Sequence, residues 1–482
     1  MAYEAIIGME VHAQIITASK MFCPCAADTA APPNTHVCPV CLGLPGSLPV
    51  INEAAVQATI LTGLALHCEV PSCSKFDRKN YHYPDLPKGY QISQYDLPLC
   101  VNGWLDIPDG AGSKRIRIRR VHLEEDTGRL LHEGRHSLID YNRAGIPLME
   151  IVTEADLRSA DDAWYYLTQL RTILRYLGVS TGNMEEGAMR CEANVSLRPV
   201  GSAEFGVKVE IKNLNSFRAV RQAIAYEIER QTALLERGER IRQITVGWDE
   251  DRHCTVFQRS KEYAEDYRYF PEPDLPPLFF APAIIDELRQ RLPELPEEKA
   301  GRFAQEYGIR REDVALLVAE RDVADYFEAV LQAAPLLSPQ TVANWILGEL
   351  FRLLSEEGIA MADIRVQPEA LAGLLKLVNE GVINLGSAKE VFAEMFRTGE
   401  TADVIIERRG LRQISGEEQL ATIVAQALAQ NPQAVQDYLA GKDAALGFLM
   451  GQVMKATRGQ ANPQVARQLL QEELERRRTT HS

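Results

Sequence analysis

Polar and ionisable side chains alternate with apolar ones in three short segments of this chain. Ile7–Ile15 alternates apolar residues with Glu10, His12 and Gln14. The other segments are Met189–Leu197, with Arg190, Glu192, Asn194 and Ser196 at its polar positions, and Val207–Lys212, with Lys208, Glu210 and Lys212. A period of two predicts a strand with one buried and one open face. The open faces carry groups that hold a hard metal ion and phosphate oxygens at once. For any single strand, the solvated, mixed-charge face of an ordinary antiparallel sheet is the simpler interpretation.

A fourth predicted strand, Lys114–Arg120, is strongly cationic and leads directly into His122, Glu124, Glu125 and Asp126. Successive strand residues point to opposite faces, so Glu124 and Glu125 cannot both face one site. We expect one of them to bind a metal ion directly. The other is expected to support that ligand or to lie at a bend.

The segment Lys79–Asp96 combines tyrosines, lysines, aspartates and prolines with few aliphatic residues. Its prolines argue against a regular central strand, and an ordinary surface loop is the alternative interpretation. We favour a loop that lines a polar cavity, in which Lys79, Lys88 and the preceding Arg78 face anions.

Several carboxylates with open coordination positions favour Mg²⁺, which keeps water ligands and shares substrate phosphates. Nearby arginine and lysine side chains hold such phosphates. The sequence contains no Walker loop, no dinucleotide-binding glycine motif, no H-E-x-x-H and no G-x-S-x-G. Any ATP chemistry is therefore predicted to use a metal site on a sheet. The residues that suit this task are Glu10, Glu124, Glu125, Glu192 and Glu210, with Arg190, Lys208 and Lys212.

Four cysteines form two close pairs, Cys23 with Cys25 and Cys38 with Cys41. Two such pairs joined by a loop are the usual layout of a tetrahedral zinc site, although the first pair has one intervening residue where two are common. Four free, buried thiols are the alternative. Because four sulfur ligands leave no open position, a zinc ion here is expected to be structural.

The chain has 482 residues, with 52 lysines and arginines against 67 aspartates and glutamates, and a formal net charge of -15. This balance excludes a surface coated for nucleic acid, so any RNA contact must be local. Nine cysteines, an odd number, indicate free thiols in a reducing cytoplasm and not a disulfide framework. We expect a cytoplasmic protein with no secretory signal and no membrane span.

The pattern along the chain predicts an α+β domain over residues 1–292, a helical domain over 293–406 and a small helical tail over 407–482. Within the first domain, apolar spacing predicts a helix over Ser159–Leu177, with Trp164 on its apolar side, and a second helix after Asn215. In the tail, Ser415 and Glu418 form a capping box, and the pairs Asn431–Pro432 and Asn462–Pro463 each start a helix.

Several longer strings resemble one known family, the B subunits of the glutamyl/aspartyl-tRNA amidotransferases, and the resemblance runs over essentially the full length. The similar strings are Ile7–His12, Lys79–Asp96, His122–Gly128, Leu138–Thr153, Arg190–Ser196, Glu210–Phe217, Arg259–Leu275 and Ala445–Pro463. The resemblance implies an antiparallel-sheet cradle domain similar to the glutamine synthetase catalytic fold. An all-α domain and a YqeY-like tail that contacts tRNA, through Lys455–Gly459, are expected to follow.

The resemblance also implies a reaction. Such B subunits work in a heterotrimer with an A subunit, which is an amidase that releases ammonia from glutamine, and with a small C subunit. With ATP and Mg²⁺ they phosphorylate the side-chain carboxylate of misacylated Glu-tRNA(Gln) or Asp-tRNA(Asn). Ammonia delivered from the amidase then displaces phosphate to give the amide.

Residue by residue, the resemblance implies a Mg²⁺ site from Glu10, His12, Glu210 and either Glu124 or Glu125. Glu192 lies beside it, where many members carry aspartate. Lys79 and Lys88 join Glu10, His12, Glu125 and Glu210 as expected catalytic residues. Nucleotide contacts are expected from Arg143, Arg190, Lys208, Lys212 and Asn213. The loops Lys79–Asp96 and Arg259–Asp266 are expected to line the substrate pocket or the mouth of the ammonia channel.

Two other classes of function remain open at this stage. Clustered carboxylates also build the two-metal sites of nucleases that act on RNA. A scaffold that binds tRNA without catalysis is the second alternative.

Overall fold

The computed structural model describes residues 2–110, 112–260, 267–413, 417–457 and 460–480. The chain divides into two compact units, Met1–Pro296 and Glu297–Ser482. The predicted division into three domains at 292/293 and 406/407 stays a prediction.

The first unit holds the strands and four helices. The helices are α1 (Glu53–Ala65), α2 (Ala160–Tyr176), α3 (Phe217–Glu236) and α4 (Pro282–Gln290). The strands are β1 (Tyr3–Gln14), β2 (Cys73–Ser74), β3 (Asp77–Asn80), β4 (Tyr90–Ser93), β5 (Cys100–Asp109), β6 (Gly112–Glu125), β7 (Arg129–Glu133), β8 (His136–Asp140), β9 (Pro147–Thr153), β10 (Met189–Pro199), β11 (Val209–Leu214), β12 (Ile244–Asp249), β13 (Cys254–Ser260), β14 (Phe270–Pro271) and β15 (Leu278–Phe279).

Eight of these strands form one sheet in the order β13-β12-β11-β10-β1-β9-β6-β5. Neighbouring strands run antiparallel except β11 and β12, which are parallel and are joined through α3. The predicted α+β class with an antiparallel-dominated sheet is therefore confirmed. The likeness to the glutamine synthetase catalytic fold stays a prediction.

The two faces of the sheet follow directly from the alternation in the sequence. In β1, the side chains of Ile7, Met9, Val11 and Ala13 are at most 1% exposed and belong to the core of this unit. Helices α1, α2 and α3 contact the sheet strands on this apolar side. The alternating positions of β1 lie on the other face, which we call the open face. The strand predicted to start at Val207 starts two residues later, at Val209.

Helix α2 confirms the prediction over Ser159–Leu177. The Ser159 hydroxyl accepts a hydrogen bond from the backbone N–H of Asp162 at 3.0 Å, which caps the helix, and Gly178 follows with a φ of +66°. The placement of Trp164 in the core is wrong, because its side chain is 37% exposed while Tyr166 is fully buried. The helix predicted after Asn215 is α3, which the Ser216 hydroxyl caps.

Smaller strand groups lie beside the main sheet. A three-stranded sheet has the order β14-β3-β4, and β4 contacts β6. β2 pairs with β15, and β7 pairs with β8 as a hairpin. The segment Lys79–Asp96 is therefore not one loop, because part of β3 and all of β4 lie within it.

The second unit is helical over its described residues, as predicted from Glu297 onward. It contains a π-helical turn at Trp345–Leu350, a 3₁₀ turn at Met361–Asp363, and the helices α5 (Pro296–Glu306), α6 (Arg311–Leu317), α7 (Arg321–Ala333), α8 (Pro339–Asn344), α9 (Phe351–Glu357), α10 (Pro368–Asn379), α11 (Leu385–Thr398), α12 (Ala402–Arg409), α13 (Glu417–Gln430), α14 (Pro432–Leu439), α15 (Ala444–Ala456) and α16 (Pro463–Thr480).

This unit has two separate hydrophobic cores, one between Phe303 and Ile406 and one between Leu420 and Leu474. The helix starts predicted at Pro432 and Pro463 are confirmed. The predicted capping box at Ser415 lies outside the described residues. Among the residues that the structure describes, no helix combines the length and the apolar composition that a membrane span requires.

Candidate functional site

Strand pairing brings the polar positions of β1, β9 and β10 into rows across the open face. Glu10 lies opposite Glu192 on β10 and opposite Val152 on β9. One step along, His12 lies opposite Arg190 and Glu150. Directly opposed residues on neighbouring strands are close enough for their side chains to interact. The rows therefore gather groups that are distant in sequence.

Two histidines and two carboxylates meet at the centre of this face. Nε2 of His12 is 3.5 Å from Oε1 of Glu124 and 3.5 Å from Oε2 of Glu150. Nε2 of His122 approaches the same Glu150 oxygen to 3.2 Å. We call His12, Glu124 and Glu150 the central cluster. Their possible ligand atoms all lie within 4.8 Å of one another, which fits a single metal ion.

The protonation of the central cluster follows from burial and charge. Burial alone would lower the pKa of His12, but the charges of Glu150 and Glu124, with the hydrogen bond to Glu150, raise it to about 9. Burial alone would raise the pKa of Glu150, but His122 and His12 hold it well below the usual range. The cluster without a metal ion is thus a protonated imidazole between carboxylates, and a cation binding there displaces the proton.

Glu10 and Glu192 extend the acidic face toward β11. The Glu10 carboxylate accepts a hydrogen bond from the side-chain amide of Asn194 at 3.0 Å. Burial raises the pKa of Glu10, and the charges of Glu150 and Glu192 raise it further. The Lys212 ammonium donates to the Glu192 carboxylate at 2.6 Å, so these two predicted site residues are paired with each other.

Glu210 lies on β11, next to Asn194 in register, and is 7% exposed. The Thr245 hydroxyl donates to its carboxylate at 2.6 Å. Lys208 lies just ahead of β11 and is exposed, and Asn213 is exposed with a left-handed φ of 58°. In the part of the chain that the structure describes, neither Lys208 nor Asn213 contacts the central cluster.

Glu124 and Glu125 point in different directions, as alternation requires. Glu124 faces His12, whereas Glu125 faces β4. The Lys88 ammonium donates to the Glu125 carboxylate at 2.6 Å, and the backbone N–H of Ile92 donates to it at 2.9 Å. Glu125 is thus held in a buried ion pair with Lys88, another predicted site residue.

Two arginines predicted to bind nucleotide are engaged with Asp126, which is 2% exposed. Arg190 donates to Asp126 at 2.8 Å, and Arg143 approaches it at 3.8 Å while donating to the Thr127 and Gly128 carbonyls. Burial would raise the pKa of Asp126, but the charges of Arg190 and Arg143 bring it below its usual value. These arginines fix the segment that follows β6.

Lys79 lies on β3 in a cluster of tyrosines. Its ammonium is 5.0 Å from the centroid of the Tyr267 ring, which meets Tyr81 edge to face at 5.9 Å. Burial would lower the pKa of Lys79, but the charges of Glu124 and Glu150 raise it above its usual value. Lys79 therefore stays cationic beside the central cluster. The predicted loop Arg259–Asp266 lies outside the described residues from 261 onward.

The four predicted zinc ligands come together, with Sγ atoms within 4.8 Å of one another. The Sγ atoms of Cys38 and Cys41 are 3.9 Å apart. A zinc–sulfur distance of about 2.3 Å gives a tetrahedral edge of roughly 3.8 Å, so the spacing fits zinc. The hydrogen bond with Cys23 lowers the pKa of Cys41 to about 5 against the effect of burial, and the charge of Lys20 adds to the lowering.

The cysteine cluster and the Lys88–Glu125 pair line the same cavity. A cavity of about 130 Å³ is lined by residues of both, among them Cys23, Cys41, Lys88, Glu125 and Gly145. Lys20, which is 1% exposed, donates to the Tyr141 carbonyl at 3.1 Å and lies 3.9 Å from the Cys41 sulfur. The cysteine loop therefore packs against the segment that positions Glu125.

Neither Glu150 nor His122 is among the site residues predicted from the sequence. Both lie within strings that carry the family resemblance, but Glu150 sits in β9, where both neighbours and most of the strand are apolar. The sequence does contain one indication of Glu150, which is a single carboxylate within an apolar strand. A buried carboxylate must have a partner, so such a residue is a candidate for a site.

The antiparallel sheet of the first unit thus brings clustered carboxylates and adjacent cations together on one face, an arrangement typical of a catalytic domain. Comparison with known proteins gives the family. The family model described as "GatB/GatE catalytic domain" matches residues 5–286, and the one described as "GatB domain" matches residues 325–474. The chain belongs to the family of aspartyl/glutamyl-tRNA(Asn/Gln) amidotransferase B subunits.

Individual relatives match over nearly their whole length. The B subunit of the aspartyl/glutamyl-tRNA(Asn/Gln) amidotransferase of Thermomicrobium roseum is 57% identical over 480 residues, which cover 98% of this chain and 99% of that protein. The corresponding protein of a Roseiflexus species is 54% identical over 482 residues, with 99% of each chain covered. That of Thermoanaerobacter pseudethanolicus is 52% identical over 475 residues, covering 98% of this chain and all of that protein.

Proposed function

We propose that this chain is the B subunit of a tRNA-dependent amidotransferase. It activates the side-chain carboxylate of Glu-tRNA(Gln), Asp-tRNA(Asn) or both with ATP, and amidates it with ammonia supplied by the amidase, the A subunit. A small C subunit completes the heterotrimer, and the reaction belongs to the cytoplasm, where aminoacyl-tRNAs are used. The observation that carries the proposal is the central cluster on the open face, with Lys79 of β3 beside it, within the region that matches the catalytic domain.

The chemistry explains why a carboxylate needs activation. An oxygen of the substrate carboxylate attacks the γ-phosphorus of ATP, the bond to the bridging oxygen breaks, and ADP leaves. Ammonia then attacks the acyl carbon, phosphate leaves with the former carboxylate oxygen, and the nitrogen loses a proton. In phosphoryl transfer the protein mainly positions groups and neutralises charge. Because an acyl phosphate hydrolyses in water, the site must also exclude solvent.

The residues of the open face suit these tasks. His12, Glu124 and Glu150 would hold Mg²⁺, and Glu10, Glu192 and Glu210 lie beside them. When bound, Mg²⁺ supplies positive charge to the transferring phosphoryl group. Lys79 provides a fixed cation next to this group.

Glu10 is the carboxylate best suited to accept the proton that the nitrogen loses. Its pKa is raised by burial and by neighbouring carboxylates, which makes it a stronger base than an exposed glutamate.

Three further parts of the proposal concern structure. Cys23, Cys25, Cys38 and Cys41 would hold a structural zinc ion that fixes the cysteine loop beside Glu125. The catalytic domain is proposed to share the glutamine synthetase catalytic fold. The tail is proposed to contact tRNA through Lys455 and the residues that follow it, of which 458 and 459 lie outside the described residues.

The test is transamidation of both misacylated tRNAs by the complete heterotrimer with ATP and glutamine. Glu124→Gln and Glu150→Gln should each lower amide formation at least 100-fold and leave glutamine hydrolysis within about threefold, because the carboxylates act only in the B subunit. Glu154→Gln is the matched control, since that carboxylate pairs with Arg119 at the surface.

Each alternative function has its own outcome. Cleavage of the RNA strand with Mg²⁺ alone would indicate a nuclease. Amide formation that survives Glu10→Ala and Glu210→Ala unchanged would indicate a scaffold. A wild-type complex that makes no amide from either tRNA would reject the proposed function.

A further inference from the structure

A β-bulge in β6 changes which residues of that strand reach the open face. Ile118 pairs with Thr153 and Arg120 pairs with Val152, so Arg119 is an extra residue between them. Before the bulge the even-numbered Ile116 and Ile118 are buried in the core, and after it the odd-numbered Val121 and Leu123 are. A bulge re-aims the side chains that follow it. Arg120 is thereby placed on the same face as His122 and Glu124.

Arg120 differs from the other arginines near this face because it has no carboxylate partner among the described residues. Its Nε atom is buried without a hydrogen-bond acceptor, and no carboxylate of the described residues lies within 4.0 Å of its guanidinium. A buried donor without an acceptor is costly. Lys79 lies against the Tyr267 ring. Five other cations near this face are each paired with an acid: Lys88 with Glu125, Arg190 and Arg143 with Asp126, Lys212 with Glu192, and Arg119 with Glu154.

Arg120 borders a gap on the open face in which an acceptor could bind. Val152 pairs with Arg120 on one side and with Glu10 on the other. Strands in a sheet lie about 4.8 Å apart, so the Arg120 and Glu10 backbones are separated by roughly 10 Å. Val152, which is small and partly exposed, forms the floor between them. This gap has a cation on one wall and a carboxylate on the other.

We propose that Arg120 binds an oxyanion of the reacting groups in the gap above Val152. The shared chemistry is a tetrahedral or planar oxygen anion, and it has two possible sources, the γ-phosphate of ATP and the side-chain carboxylate of the aminoacyl-tRNA. The inference rests on the proposed function, because that reaction brings both anions to this face. Arginine suits the role, since its planar fork binds two oxygens at once.

The test compares Arg120→Ala and Arg120→Lys in the complete heterotrimer. Removing one charged hydrogen-bonding group is expected to lower kcat/KM for transamidation by about 10- to 100-fold. Arg120→Lys should recover part of the loss, because it keeps the charge without the fork. Arg115→Ala is the matched control on the same strand, and it should stay within about twofold because Arg115 pairs with Asp106 at the surface.

Separate titrations of ATP and of aminoacyl-tRNA identify the source of the anion. A rise in KM for ATP, with a smaller ATP-induced gain in thermal stability, assigns the phosphate. A rise in KM for the tRNA alone assigns the substrate carboxylate. Wild-type kcat and both KM values for a folded Arg120→Ala complex would overturn the inference.

Two controls keep this outcome separate from other failures. If Arg120→Ala does not assemble, as judged by lost glutamine hydrolysis, Arg120→Lys decides: reduced efficiency at an unchanged thermal midpoint supports the site, and wild-type efficiency overturns it. If the wild-type complex forms no amide, the proposed function fails before Arg120 is tested.

Discussion

The ion pair between Lys88 and Glu125 should be one of the most sensitive points of the first unit. The two side chains are 10% and 3% exposed, and their charged atoms are 2.6 Å apart. Lys88→Met keeps most of the length of the side chain and removes its charge. The Glu125 carboxylate then stays buried without its cation, and it still accepts the hydrogen bond from the Ile92 backbone N–H.

The expected magnitude follows from the geometry. Breaking a buried pair by removing one partner costs about 3–5 kcal/mol, and the surviving hydrogen bond from Ile92 offsets roughly 1 kcal/mol of this. A net loss of about 2–4 kcal/mol should lower the thermal midpoint of this unit by roughly 4–12 °C. The measurement is differential scanning calorimetry of the assembled complex.

A second substitution tests the cause. Glu125→Gln removes the charge that Lys88→Met leaves unpaired, so the double variant should be more stable than Lys88→Met alone by about 2 kcal/mol. Lys442→Met is the control, because its partner Asp437 is at the surface and such pairs contribute about 0–1 kcal/mol. A double variant as unstable as Lys88→Met would refute the reasoning, since the loss would then come from packing and not from an unpaired charge.

Three other changes have defined outcomes. Cys38→Ser should abolish the binding of one zinc ion per chain, measured by metal analysis, and lower the thermal midpoint, while the protein that still folds keeps glutamine-dependent activity. Burial would raise the pKa of Glu328, but Arg302 and Lys299 bring it below 4.5. The ionised Glu328 therefore stabilises the fold above that pH, and this stabilisation is lost as the pH falls. Glu328→Gln should reduce the loss of unfolding free energy that the wild-type protein shows on acidification. Ser216→Ala should lower the free energy of unfolding, measured with denaturant, by about 1 kcal/mol, because it removes the hydroxyl that caps α3. Ser216→Asp should keep the wild-type stability, since its carboxylate can accept the same hydrogen bond.

The strands of the main sheet could be predicted because one face of each is buried and the other is polar. Helix α1 could not be predicted in this way. Nine of its residues, from Ala55 to Ala65, are buried, so its apolar residues do not follow the helical period that marks a half-exposed helix. The spacing of apolar side chains likewise does not predict the π-helical turn at Trp345–Leu350.

The candidate site was predictable in its residue types and less so in its pairings. Alternation placed Glu10 and His12 on one face, and the adjacency of Glu124 and Glu125 required them to diverge. Which acid faces His12 depends on the register of β6, β9 and β1, and β1 is more than 90 positions from the other two in sequence. The partner of Arg190 could not be predicted for the same reason, since Asp126 is 64 positions away.

The position of β1 at the centre of the sheet has a consequence for how the protein is made. Its first partner in the chain, β9, begins at Pro147 and its second, β10, ends at Pro199. At synthesis rates of about 5–20 residues per second, the apolar face of β1 waits on the order of ten seconds for either neighbour. During that time an unpaired apolar strand is available for wrong pairing. Expression at low temperature or with abundant chaperones should therefore change the yield of this protein far more than the stability of molecules that have already folded.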